Sequence, residues 1–167
     1  FKYKKLKQNS VPNFLGIQSQ LWTETATDPY QFDRMLMPNL IVFSERAWSP
    51  KETWLDEITA EKQKPLLIKS WNRFVNTIGQ RHLQFLSNNY EEIYFDLPKP
   101  GAILDNLTLK ARQQFPGLEI RYTLNGKKPE KTDQLYTVPV KIKPNDQVIL
   151  RVFDSNGRGG NSIKIQK

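Results

Sequence analysis

The chain has 167 residues, 38% hydrophobic and 25% charged, enough for one ordinary domain or two small ones and too apolar for a disordered segment. With no Cys and a single His, His82, it excludes disulfides, thiolate metal sites, a Cys nucleophile and the usual multi-histidine zinc centre, and it disfavours a Ser-His-Asp triad. The formal charge of +8 invites a nucleic-acid reading, but residues 1–87 and 88–167 each carry +4, and only Lys2, Lys4, Lys5 and Lys7 cluster, so the charge reads as solvated surface and no nucleic-acid partner is expected.

The longest clear apolar run, Leu40 to Phe43, is far too short for a membrane span. The first residue is Phe1, and the basic start is not followed by the apolar segment a signal peptide needs. Either a preceding segment has been removed or the chain is a piece of something longer.

Phe14-Leu15-Gly16-Ile17 leading to Leu21-Trp22 reads as a short buried strand. Asp28-Pro29 is a helix start, with an N-cap carboxylate followed by a first-turn proline. Beyond it Phe32, Met35, Leu36, Leu40, Phe43 and Ala47 recur at helical spacing, with a break expected near Met37 because Pro38 cannot donate its ladder hydrogen bond. Ser49-Pro50-Lys51-Glu52 has the spacing of a capping box. A further helix is expected from Pro65 to about Phe85.

Near Ser87-Asn88-Asn89 the pattern changes to short alternating runs separated by turn residues. Leu107, Leu109 and Ala111 alternate with polar residues, as do Ile120, Tyr122 and Leu124, then Val138, Val140 and Ile142, then Val148, Leu150 and Val152, then Ile163 and Ile165. Asn125-Gly126 reads as a turn and Asn156-Gly157-Arg158-Gly159-Gly160 as a hairpin, since it lacks the helix and the Lys-Ser/Thr of a phosphate loop. About six strands in this half predict a small antiparallel β-sandwich, and the boundary is placed at residues 87/88.

Side chains two apart on a strand share a face, so Trp22 and Glu24 would point the same way. An indole offers a flat apolar surface to pyranose C–H groups, and a carboxylate accepts hydrogen bonds from hydroxyls. Taken by itself, Trp-x-Glu is more often a packing residue beside a solvated acid. The ordered set around it is more specific: Gly16-Ile17-Gln18, Leu21-Trp22-Thr23-Glu24, Met35-Leu36-Met37-Pro38 and Ser44-Glu45-Arg46-Ala47-Trp48. It resembles the last βα unit of bacterial, chitobiase-like β-N-acetylhexosaminidases of glycoside hydrolase family 20. Phe95-Asp96-Leu97-Pro98, Pro100-Gly101, Phe115-Pro116-Gly117 and Arg121-Tyr122-Thr123 look like the immunoglobulin-like C-terminal domain of the same enzymes.

The resemblance implies a mixed α and β chain in two parts. Residues 1–87 would be the last strand and following helices of an incomplete (β/α)8 catalytic barrel, and residues 88–167 an immunoglobulin-like β-sandwich. It implies that Trp22 lines the wall around N-acetylglucosamine in the innermost subsite and that Glu24 accepts hydrogen bonds from hydroxyls on its non-reducing side. The family removes terminal N-acetylhexosamine residues by substrate-assisted retaining hydrolysis, with no metal or other cofactor. The Asp-Glu pair that orients the acetamido group and protonates the leaving oxygen lies at the fourth strand, so no catalytic residue is expected here and the chain alone is expected to be inactive. The implied partners are an N-acetylglucosamine oligosaccharide and the missing N-terminal part of the parent, which the family habit makes periplasmic, lipid-anchored or secreted.

Other candidates read as structural. Asp56-Glu57 follows the last strand in a helix-forming stretch and is expected to be a helix-terminus charge pair; Glu91-Glu92 is expected to be solvated. Glu45-Arg46 would anchor the helix, Trp48, Trp54 and Trp71 would be core or interface, and His82 would flank a helix end. A lone barrel strand would have unpaired backbone on both sides, so residues 14–24 are expected to be disordered, rearranged or paired with another chain or fragment. The alternative from another class is a non-catalytic module whose β-sandwich binds a polysaccharide or a partner, although Tyr94, Tyr122 and Tyr136 do not form an obvious exposed row.

Overall fold

The computed structural model describes residues 7–57, 59–89, 91 and 93–165. The basic cluster at Lys2, Lys4 and Lys5 and the acid Glu92 lie outside them, while Glu91 is exposed. Helices occupy the first half and antiparallel strands the second.

Helix α1, Pro29–Leu36, starts where Asp28 caps it: the Gln31 N–H donates to Asp28 Oδ1 at 2.8 Å, and Pro29 occupies the first turn. It stops before Pro38, and α2, Asn39–Trp48, resumes immediately afterwards. The expected capping box starts no α-helix. Ser49 instead caps the C-terminus of α2, its N–H donating to Glu45 O, and only a 3₁₀ turn, Thr53–Leu55, follows. The end of α2 needs a partner for its last carbonyls, and Ser49 is used there.

Helix α3, Ala60–Thr77, begins five residues before Pro65. It passes through a π-helical turn, Ile78–His82, into α4, Leu83–Asn88. His82 therefore sits inside a continuous helical run rather than at its end.

Among the described residues the sandwich half holds seven strands in two sheets, β1-β2-β5 and β4-β3-β6-β7. They are β1 Gly101–Asp105, β2 Thr108–Arg112, β3 Glu119–Thr123, β4 Gln134–Leu135, β5 Val140–Lys141, β6 Ile149–Phe153 and β7 Ile163–Lys164. Strand β1 is absent from the alternation pattern, which also put Leu107 in a strand. Asp105 pairs with Thr108, leaving Asn106 and Leu107 as a two-residue turn with φ of 45° and 56°. Asn accepts that left-handed geometry readily; Leu is carried into it by the hairpin. Asn125-Gly126 does not close a tight hairpin. It opens a longer loop before β4, and its Gly126 N–H donates to Gln147 O at 2.9 Å. The 154–160 hairpin does form, with Asp154 N–H donating to Arg158 O and Gly160 N–H to Val152 O.

Leu109 from one sheet packs with Ile120, Tyr122, Leu150 and Val152 from the other in one apolar core. A second core joins the two halves: Ile78, Leu83 and Leu86 from the helices meet Phe95 and Leu97 from the connecting strip, with Phe115 and Leu118 at its edge.

On the outer face of β3, Glu119 Oε2 accepts from both Lys131 Nζ and Arg121 Nη2 at 2.7 Å. The Lys131 hydrogen bond, then that of Arg121, holds its carboxyl below the ordinary glutamate value. A lowered folded-state pKa contributes stability above the unfolded value, about 4.3, and that contribution disappears as the pH falls through the folded value. Glu119 is partly exposed, so the contribution is at most about 1 kcal/mol after solvent screening. Glu119→Gln is expected to remove that part of the loss of stability below about pH 4.3 and to leave the slope near pH 7 unchanged. Urea midpoints at pH 7, 5 and 3 check this, and parallel wild-type and variant curves would refute it.

Candidate functional site

The strand expected over Phe14–Trp22 is not formed: residues 14–22 run without a ladder partner, Leu15 is 99% exposed and Trp22 69%. A parallel strand is stabilised by hydrogen bonds to neighbours on its sides, and no other strand of the described residues lies beside this one. The shared strand face of Trp22 and Glu24 is lost with it. Glu24 sits instead in a turn closed by Ala26 N–H donating to Thr23 O at 3.0 Å.

That turn leads directly into the capped start of α1. Thr27 Oγ1 donates to Gln31 Oε1 at 2.9 Å, while the Gln31 backbone donates to Asp28, so side chain and main chain grip each other across the first helical turn. Glu24 is thus carried a few residues before a firmly started helix. Its side chain is exposed and has no ion pair or hydrogen bond among the described residues. Such an acceptor can take several hydroxyl hydrogen bonds, and the exposed Trp22 indole offers an apolar face close by in sequence.

Asp56 caps the 3₁₀ turn, pairs with Lys51 and is exposed. Among the described residues no group of three or more His, Asp or Glu could hold a metal ion. No helix among them is long and apolar enough to cross a membrane.

The tryptophans are not all core residues. Trp48, expected in a core or interface, is 88% exposed, and Trp71 is half exposed. Trp48 and Ala47 line a shallow pocket with Phe14, Leu15 and Ile17. Trp54, Trp71, Val42, Leu67 and Phe74 line a second groove of about 190 Å³, with Glu45 and Arg46 at its edge. Both Glu45 and Arg46 are exposed, so the anchoring expected of them is not made among the described residues. The signal for this exposed apolar surface was in the sequence, as an apolar strand with no neighbouring strands to cover it.

Sequence reasoning missed the seam between the two halves. Asp154, 2% exposed, accepts from Ser87 Oγ at 2.7 Å, Arg158 N–H at 2.9 Å and Arg158 Nε at 3.3 Å. Arg158 also donates to Phe95 O at 2.9 Å and lies 4.0 Å from the Phe95 ring centroid. Ser87 and Asp154 are 67 positions apart, and no local pattern announces such a pair.

Residues 2–51 match the family model described as the glycosyl hydrolase family 20 catalytic domain. Residues 86–162 match the chitobiase/beta-hexosaminidase C-terminal domain. The chain is similar to an N,N'-diacetylchitobiase of Vibrio harveyi, 32% identical over 155 residues, covering 86% of this chain and 16% of that protein. It is also similar to a beta-hexosaminidase of Vibrio vulnificus, 28% identical over 170 residues, covering 92% of this chain and 19% of that protein. The chain therefore spans less than a fifth of the length of either relative. With Trp22 and Glu24 inside the first match and most of the strand half inside the second, the chain joins a segment that matches the glycosyl hydrolase family 20 catalytic domain to one that matches the chitobiase/beta-hexosaminidase C-terminal domain.

Proposed function

We propose that this chain is the C-terminal part of a chitobiase-like β-N-acetylhexosaminidase. Residues 1–87 are the end of its (β/α)8 barrel and residues 88–167 an immunoglobulin-like sandwich. The parent releases terminal N-acetylglucosamine from chitooligosaccharides or related glycans and is periplasmic, lipid-anchored or secreted. The observation that carries this reading is the order of the two family matches on one chain, with Leu21-Trp22-Thr23-Glu24 in the catalytic one. The large apolar residues left open at Phe14, Leu15 and Trp22 support it, because the neighbouring strands of a barrel would cover such a segment.

In the parent, the substrate's acetamido oxygen attacks the anomeric carbon while a Glu gives its proton to the leaving oxygen and the preceding Asp orients the acetamido group. Trp22 forms part of the wall against the sugar ring, and Glu24 holds hydroxyls on the non-reducing side. The acid and the orienting Asp come from elsewhere in the barrel, so the chain alone is inert.

Hydrolysis of a chromogenic N-acetylglucosaminide tests this, with the 167-residue chain beside a longer protein that includes the upstream barrel. Activity is expected only in the longer protein. There, Glu24→Gln is expected to lower kcat/KM by about ten- to a hundredfold, the worth of a hydrogen bond to a charged group. Activity in the homogeneous 167-residue chain, or an unchanged kcat/KM in the variant, would overturn the assignment.

The reading of the sandwich as an independent polysaccharide binder receives no support from its tyrosines. Tyr122 is buried, the Tyr136 hydroxyl accepts from Ala111 N–H at 2.8 Å, and Tyr94 packs against Tyr30.

A further inference from the structure

The strip between α4 and β1 does more than connect them. Its residues hold α1 at three points along the helix. The Tyr94 N–H donates to Asp33 Oδ2 at 3.2 Å. The Tyr94 and Tyr30 rings meet edge to face, with centroids 4.2 Å apart. Arg34 Nε lies 3.9 Å from Asp96 Oδ1. On its other side the same strip is fastened to the sandwich, through Arg158 on Phe95 and through the packing of Leu97 against Gly160, where an added Cβ would come within 2.9 Å of the Leu97 Cβ.

Helix α1 starts at Pro29, directly after the turn that carries Glu24. From these contacts we infer that residues 93–97 are a clamp through which the C-terminal sandwich positions the Trp22–Glu24 turn. Tyr94 and Asp33 are its positioning residues, with Arg158 acting one step further back. The site on the catalytic segment thereby depends on a domain that supplies none of its sugar-contacting groups. The physical reason lies in the length of α1. At eight residues it is too short to hold its own orientation, so tertiary contacts must set it. The role in sugar binding rests on the reading given above for Trp22 and Glu24; the clamp itself does not.

The test is amide hydrogen exchange and heteronuclear NOE measurement on the 167-residue chain. Asp33→Ala removes the acceptor for Tyr94. It is expected to speed exchange across α1 by at least about tenfold and to lower the NOE of Thr23–Thr27, while β6 keeps its protection. Asp33→Asn keeps an acceptor oxygen and is expected to restore most of the protection. A merely bulky structural residue would show no such rescue. Arg158→Met should loosen α1 by a smaller factor through Phe95. If Asp33→Ala unfolds the chain, Tyr30→Leu carries the same test, since Tyr30 is half exposed and Leu preserves apolar contact. Exchange in α1 within twofold of wild type in these variants overturns the clamp.

In an active longer protein Asp33→Ala is expected to raise KM several-fold with kcat largely kept, as a displaced binding group does. Unchanged hydrolysis in Trp22 and Glu24 variants, with the exchange results as expected, would leave the clamp standing and remove its link to sugar binding.

Discussion

Asp154→Ala is expected to cost about 3 kcal/mol of stability, the usual result of removing one partner of a buried ion pair. The carboxylate is 2% exposed and takes three hydrogen bonds, from Ser87 and from the main chain and side chain of Arg158. Without it, the Arg158 guanidinium keeps Phe95 O, the Phe95 ring and Ser87 Oγ but loses the Asp154 carboxylate in a site largely closed to water. For a chain of this size the midpoint of thermal unfolding should fall by about 6 to 12 °C. Asp154→Asn, which keeps an oxygen but not the charge, is expected to lose roughly half as much. The double variant Asp154→Leu with Arg158→Met should recover part of the loss, because an apolar pair of similar volume carries no desolvation penalty. Denaturant midpoints of the four proteins check the set. A loss under about 0.5 kcal/mol for Asp154→Ala would mean that the pair is solvated and that the apolar seam alone holds the halves together.

Gly79→Ala is expected to destabilise the protein by about 2 kcal/mol or more, although the same change in an exposed helix would add up to about 1 kcal/mol. Gly79 is buried in the π-helical turn. A Cβ there would lie 2.1 Å from Pro116 O and 3.0 Å from the Phe115 carbonyl carbon, both main-chain atoms that cannot rotate away. The loop could yield only by lifting Phe115 and Leu118 from the second core, which they flank. Gln80→Ala, one residue on and exposed, is the control and should change stability by less than about 0.5 kcal/mol. Urea midpoints distinguish the two outcomes. A stabilised Gly79→Ala protein would show that helix and loop do not approach so closely.

The two variants probe the seam from opposite ends, the polar one at Ser87 and Asp154 and the apolar one at Gly79 and Pro116. Loss of secondary structure in both halves together on unfolding would identify the seam as part of a single cooperative unit.

The sequence by itself determined several local elements and carried the resemblance to glycoside hydrolase family 20. Asp28-Pro29 started α1 because a short carboxylate side chain and a preset φ need no tertiary help, and Pro38 ended it because a missing N–H cannot be supplied from elsewhere. Val148, Leu150 and Val152 placed β6 because side chains on a strand alternate regardless of what covers them. Trp22 and Glu24 were legible as candidates through the motif around them. Tertiary structure decided the rest. Residues 14–22 are strand-like in composition but form no strand, because a ladder needs a second chain segment that local sequence cannot provide. Leu107 left its expected strand for a left-handed turn because the Asp105–Thr108 pairing set the register of β1 on β2. The Ser49–Glu52 capping box started no α-helix because Ser49 was needed at the end of α2. The Ser87–Asp154–Arg158 seam and the grip of Tyr94 on Asp33 join residues more than sixty positions apart. Such contacts arise only when the chain has already folded back on itself, and their energy depends on the burial that folding creates.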